Sequence, residues 1–452
     1  MAQTQKRSIS NVLFLKRLYA AVSESTSVNV ISPLGLAVVS FGFMVLSIFI
    51  PPSWYEDVVH EPDLMFMNGH VFVFYTACIL SMLASYYLIR FDPPKFRVLR
   101  SAMSDTKPNL WLMVLAPLLL AMAVGILTIL LILASNPSLI GDILSGHGAE
   151  AKANINMKDN LGGMSPFVLS ILNYTQVRIY QCERALQRQQ LRICRIVWWA
   201  TFCVAIATAL VKLARYEAIP IVLSWLIIAL RTRGSGYSAW YSIRGGLLGG
   251  VVILGLFSLF AALRGAEAFQ SLMGYGPASF NHLAALLSGR LQLMGGGTHT
   301  FAFIDRLPFM HRISDVQILP YDLADEFKSE FPLTRAAGLN SQLIWVTAYG
   351  YYYADWGYGA LVVTSIIGLV TAISWKSFNF QRAWGCVMYP WLASLTLLSM
   401  TFAHFTQQAL PIMVIMGLLL EGWDRLPMWQ HNVSMPSKAP FRGRWRQTDA
   451  KT

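Results

Sequence analysis

The sequence predicts an all-α polytopic membrane protein, with about ten transmembrane helices and one large outer loop. Three observations predict it. Only 13% of the 452 residues are charged and 55% are hydrophobic, whereas soluble domains carry about 25% charged residues. Mean hydropathy is +0.49. Apolar runs of roughly 20 residues recur along the chain, and that length crosses a ~30 Å hydrocarbon core. Irregular backbone cannot face lipid, so the spans must be helices.

In chain order, the first apolar run is Ile31 to Pro51. It is long and no small-residue cleavage site follows, so it reads as a span and not as a cleavable signal peptide. Further runs lie at about 70–89, 110–134, 164–181, 196–213, 217–230, 245–263, 357–375, 383–402 and 406–422. Asn173, Thr175 and Gln176 interrupt segment 164–181, where a tilted amphipathic helix is the alternative. Ten spans put both termini on one side. With that side inside, 25 of the 35 basic residues fall on inside segments, and 15 of the 23 acidic residues fall on outside ones. The asymmetry follows the positive-inside rule and predicts cytoplasmic termini. The chain then divides into N-terminal transmembrane helices (1–263, about seven spans) and a large outer loop (264–340). An interfacial segment with the C-terminal transmembrane helices (341–422) and a basic cytoplasmic tail (423–452) complete it.

The net charge of +12 is therefore mostly a topology signal. Nucleic-acid binding would need basic residues gathered on one soluble domain, and no such domain is present in the pattern. Cys78, Cys182, Cys194, Cys203 and Cys386 lie in spans or at their inner ends, so no disulfide framework is expected. There is no CxxC or HExxH, hence no expected metal site. GxSxG, P-loop and dinucleotide-binding patterns are also missing from any strand–helix context.

The outer loop holds His282, His299 and His311 together with Arg290, Arg306, Arg312 and Arg335. Its LMGGGTHTFAFIDRLPF stretch contains a glycine turn at which backbone can approach a ligand closely. The run DLADEFKSE (322–330) reads as a solvated face. Between the fifth and sixth spans, VKLARYEAIP packs Lys212, Arg215 and Glu217 into a very short connection. A guanidinium at the end of a packed bundle must be paired or hold an anion, and its planar fork suits phosphate. A contact of Arg215 with Glu217 or with backbone that caps the turn is the plainer alternative. His404, in TFAHFTQQ after the ninth span, is a base, a sugar-binding residue or simply a polar residue at a helix end. YGYYYADWGYGALVV (349–363) also has two readings. One is an aromatic belt at the membrane interface; the other is part of a site around Asp355.

The large external loop, then GGGTHTFAFIDRL, then TAYGYYYADWGYGAL, resembles the O-antigen/capsule repeat-unit polymerase family, which is related to the O-antigen ligases. Gly295, Gly296, Gly297, Thr300 and Phe301 match the family's glycine-rich stretch running into Thr-Phe. Thr347, Tyr351, Tyr352, Asp355, Trp356 and Gly357 match its order of a Thr, two aromatics, an Asp, an aromatic and a Gly entering the next span. Arg215 matches the family's Arg at the outer turn before the sixth span. The likeness covers residues 200 to 375.

The resemblance implies a GT-C-like helical fold and an inverting, metal-independent glycosyltransferase at the periplasmic face of the bacterial inner membrane. A glycan on undecaprenyl diphosphate would move onto the next lipid-linked repeat unit, with no cofactor. The partners implied are the undecaprenyl-diphosphate-linked oligosaccharide, the lipid bilayer and a chain-length regulator protein. Arg215, Arg290, Arg306, Arg312 and Arg335 are then candidates to hold the diphosphate, since fixed cations lower a barrier where negative charge develops. His299 or His282 is the candidate base for the acceptor hydroxyl, with Asp355 the alternative. Thr347, Tyr351, Tyr352 and Trp356 offer hydroxyls and flat faces to a sugar. Asp355 is equally suited to fix an arginine or a loop backbone.

Two other functions compete. The ligases carry a His-Asn or His-Ser pair where this chain reads GLNSQLIWV, which favours the polymerase. A lipid-linked oligosaccharide flippase would show repeated halves and charges at mid-membrane. This sequence shows no internal repeat, and its charges fall near span ends.

Overall fold

The computed structural model describes residues 31–65, 69–89, 110–145, 164–183, 186–232, 239–263, 276–305, 323–341, 343–401, 405 and 409–426. Among these residues all regular structure is helical. The first helices are α1 (Pro33–Ile48), α2 (Pro52–Val59), α3 (Gly69–Leu88), α4 (Leu110–Ser135) and α5 (Leu139–Leu144). They are followed by α6 (Met164–Cys182), α7 (Arg188–Val211), α8 (Arg215–Thr232) and α9 (Ala239–Leu263). The loop region supplies α10 (Pro277–Leu287), α11 (Ala302–Asp305) and α12 (Leu323–Ala336). The chain closes with α13 (Ala348–Trp356), α14 (Ala360–Asn379), α15 (Ala383–Leu397) and α16 (Ala409–Asp424).

Each apolar run of the sequence is one of the longer helices, and five helical stretches are long and apolar enough to cross a membrane. They are Gly69–Leu88, Trp111–Ser135, Arg188–Val211, Ala348–Asn379 and Ala383–Met400, with α1 and α2 a sixth if their bent pair counts as one span. The bend between those two is 97°. Its cause is Pro51–Pro52: proline supplies no N–H to continue α1, but suits the first position of α2.

Burial separates an inner layer from an outer one. In α15, 83% of the membrane-length window is buried, against 28% in α4 and 33% in α7. Leu120, Leu127 and Leu130 of α4 and Val362 and Ile366 of α14 are bare, a surface that suits lipid and not water. The interrupted segment 164–181 is not a surface helix: α6 is buried along most of its length. Its polar residues look inward, with Gln176 Nε2 donating to Trp225 O of α8 at 3.2 Å and Thr175 Oγ1 to Ile171 O at 2.6 Å. The first bond joins two helices and the second closes within α6; both replace the water a polar group lacks in lipid.

Contacts also place the helix ends. Tyr174 and Arg178 in the second half of α6 bond Asp424 at the end of α16, and Tyr389, midway along α15, bonds Ile31 O before α1. Towards the opposite end, Ser40, midway along α1, meets Tyr75 of α3 at 2.8 Å and Ser399, just past α15, at 3.2 Å. The loop helices gather at this second end. α10 is buried almost throughout, with Phe280, Leu283 and Ala284 in one apolar cluster with Tyr75, Cys78 and Ile79 of α3 and with Tyr349 and Tyr352 of α13. α10, within the segment expected to be a loop, is thus sunk into the bundle rather than resting on it. All five cysteines are free, four of them buried.

Candidate functional site

A buried carboxylate network lies at the loop-bearing end. Chain leaving α2 turns through His60, at φ 60°, and delivers Glu61 inward. Pro277 starts α10, which presents Asn281 and His282 side by side to that carboxylate. Glu61 Oε2 lies 2.9 Å from His282 Nε2 and accepts the Asn340 N–H at 2.8 Å. Glu61 Oε1 accepts from Asn281 Nδ2 at 2.9 Å and from the Tyr55 hydroxyl. Asn281 is itself locked, since its Oδ1 takes the Leu64 N–H at 2.6 Å and its Nδ2 also donates to Pro62 O. Asn340 Nδ2 donates to Val59 O at 2.7 Å. Three distant stretches of chain therefore converge on one carboxylate. Burial alone would push that carboxyl up; the charge and hydrogen bond of His282, with the bonds from Tyr55 and Asn340, outweigh it and hold Glu61 below its usual range.

A carboxylate only accepts, so His282 Nε2 must carry the proton it shares with Glu61. His282 Nδ1 has no hydrogen-bond partner among the described residues. That leaves the second nitrogen of a fully buried ring whose orientation is fixed from behind.

The second cluster is a latch. Asp355, near the end of α13, accepts the Thr300 N–H at 2.6 Å, the Thr300 hydroxyl at 2.7 Å and the His299 N–H at 3.4 Å. Trp356 Nε1 donates to the same Thr300 hydroxyl at 2.8 Å. Asp355 thus fixes loop backbone, one of the two roles its position allowed, and its carboxylate is spent on that task. The glycine turn is needed for the approach. A Cβ on Gly295 would stand 2.2 Å from Ala354 O, and Gly297 adopts φ +94°, where other residues are strained. His299 Nε2 bonds Met294 O at 2.8 Å, and its ring leans on Tyr351 at 4.7 Å between centroids.

Most of the proposed sugar-binding side chains lie inside. Tyr349, Tyr351 and Tyr352 are fully buried, with Tyr351 donating to Glu330 Oε2 at 3.2 Å. Thr347 is the cap of α13, accepting the Gly350 N–H at 3.1 Å, and is fully buried. Crowding by Phe280 and Leu283 of α10 and Tyr75 of α3 takes these residues away from any surface. Trp356 (46% exposed), Phe301 (39%) and Tyr358 (69%) are the aromatics left outside. The belt reading therefore applies to Trp356 and Tyr358, and not to the three buried tyrosines.

The arginines are dispersed. Arg290 Nε donates to Ala337 O at 2.7 Å. Arg335 is exposed on α12. Arg215 is buried at the start of α8 with its guanidinium 5.5 Å from the Phe257 ring centroid of α9. Glu217 does not cap it: Glu217 pairs with Lys212 at 3.3 Å and accepts from Ser165. Arg306, Arg312, His311 and His404 lie outside the described residues. Glu61, Asn281 and Tyr55 are residues of this network that sequence reasoning misses. Glu61 is one of four acids between Glu56 and Asp63, and nothing local distinguishes it from the other three.

No protein-family model matches the chain, and no curated protein or solved structure matches it either.

Proposed function

We propose that the chain joins undecaprenyl-diphosphate-linked oligosaccharide repeat units of a bacterial surface polysaccharide at the periplasmic face of the inner membrane. The observation that supports this reading is the Asp355 latch. It unites the two stretches that carry the family likeness, Gly295–Phe301 and Thr347–Gly357, across 55 residues of chain, and leaves Trp356 and Phe301 exposed beside the joint. On this reading α1, α3, α4, α6, α7, α8, α9, α14, α15 and α16 all cross the membrane. The Arg178–Asp424 end faces the cytoplasm and the Glu61 end the periplasm.

The acceptor sugar hydroxyl would attack the anomeric carbon of the donor glycan. The bond from that carbon to the diphosphate oxygen breaks, and undecaprenyl diphosphate leaves with the electron pair. The hydroxyl proton passes to a base. His282 and His299 are the candidates for that role: Glu61 orients the His282 ring, and because both side chains are buried an acceptor would reach either only after local opening. Arg215 is the candidate for the diphosphate, and Trp356 with Phe301 for the sugar faces.

The test is a deletion strain whose surface glycan is run on a gel. Single repeat units attached to lipid support the polymerase; loss of all attached glycan would point to a flippase or ligase. Purified protein given a synthetic undecaprenyl-diphosphate repeat unit should release undecaprenyl diphosphate and form longer chains. Arg215→Ala should shorten the ladder while the protein still inserts. A normal ladder from that variant removes Arg215 from the diphosphate site.

A further inference from the structure

We infer that the arginine-bearing end of α7 binds the headgroup of an anionic phospholipid, with the acyl chains lying along the helix. Arg188, Arg192 and Arg195 follow at spacings of four and three, so all three guanidinium groups stand on one helix face. They line a surface groove of about 480 Å³ together with Leu191, Ile196 and Trp199, within the ~300–1,000 Å³ of small-ligand sites. Among the described residues no carboxylate pairs with Arg188 or Arg192. Arg195 meets Glu183 at 2.6 Å, but both side chains are about half exposed, so water and salt weaken that pair.

The walls of the groove decide what fits. Three guanidinium forks suit a phosphate, which can accept two bonds from each. Ile196 and Trp199 are exposed directly beyond them, on a helix long and apolar enough to cross a membrane. An indole at that depth belongs at the level where headgroups meet acyl chains. A free phosphate would use the cations and leave the apolar floor bare. A zwitterionic lipid would bring its own ammonium against the arginines. An anionic phospholipid satisfies both surfaces, and each arginine near such a headgroup contributes about a fivefold gain in affinity. The inference is independent of the chemistry at the opposite end of the bundle.

The experiment measures binding to the purified full chain in neutral detergent by native mass spectrometry and by thermal shift. The probes are short-chain phosphatidylglycerol, short-chain phosphatidylcholine and inorganic phosphate. Phosphatidylglycerol should bind and raise the melting temperature, and the other two should not. Arg192→Gln should weaken phosphatidylglycerol about fivefold and the triple Arg188→Gln, Arg192→Gln, Arg195→Gln variant about 100-fold. Glu183→Gln should strengthen it by releasing Arg195. Arg425→Gln, an exposed arginine elsewhere, should bind as the unaltered protein does. Equal binding of phosphatidylcholine, a full effect from inorganic phosphate alone, or unchanged phosphatidylglycerol binding in the Arg192 and triple variants would each overturn the inference.

Discussion

Replacing Glu61 by Gln keeps the volume of the side chain and breaks the network by hydrogen-bond arithmetic. The carboxylate accepts from four donors, two on each oxygen. A glutamine has one carbonyl oxygen and one amide nitrogen, and the nitrogen cannot accept. If the oxygen faces Asn340 and His282, the amide confronts Asn281 Nδ2, which cannot turn away because Leu64 N–H and Pro62 O hold it. If it faces Asn281 and Tyr55, the amide confronts the Asn340 N–H, a backbone donor with no freedom to adapt. His282 and Tyr55 can reverse their roles; Asn281 and Asn340 cannot. One buried donor is stranded either way, at about 1–3 kcal/mol, and the surviving bonds lose the extra strength of a charged acceptor. The expected loss is about 3 kcal/mol, equivalent to roughly 100-fold faster local opening. Hydrogen exchange reads it directly, since the Asn340 and Leu64 amides report the two halves of the network. Both should exchange faster by about that factor, with α6 and α15 unchanged. Unaltered protection at both amides would refute the reasoning.

The folded pKa of Glu61 is depressed, so its contribution is complete above the unfolded value near ~4.3 and is lost as pH falls through the lower folded value. Asn340 protection, referred to the unstructured rate at each pH, should fall below about pH 4, and Glu61→Gln should abolish that dependence. Asp355→Ala strands the Thr300 N–H and hydroxyl and should cost about 2–5 kcal/mol locally. Exchange across 298–301 should then quicken, and on the proposed function the glycan ladder should shorten although the protein inserts. Gly368→Ala places a Cβ 2.2 Å from Met82 O, forcing α14 away from α3 at about 1–3 kcal/mol, visible as a lower melting temperature in detergent. Gly42→Ala, whose Cβ would meet nothing within 4 Å, is the matched control and should not lower it.

The position of each apolar helix was legible in the sequence, because length and hydropathy are local properties and a helix satisfies its own backbone. The end of the first run at Pro51 could be placed for the same reason: proline acts on its own residue and its neighbour. The meaning of the polar residues in α6 could not. Asn173, Thr175 and Gln176 look the same whether a helix is amphipathic at a surface or bonded inside a bundle, and only the neighbours α8 and α15 decide.

The same limit governs the site. The sequence by itself marked Gly295–Phe301 and Asp355 as belonging to something, and set His282 and His299 among the candidates. Tertiary structure alone decided that Asp355 holds the loop, that His282 stands before the Glu61 carboxylate, and that Tyr351 and Tyr352 are core rather than surface. The physical reason is separation. Glu61 and His282 meet across 221 positions, and a hydrogen bond spanning that distance leaves no periodic trace in the residues around either end.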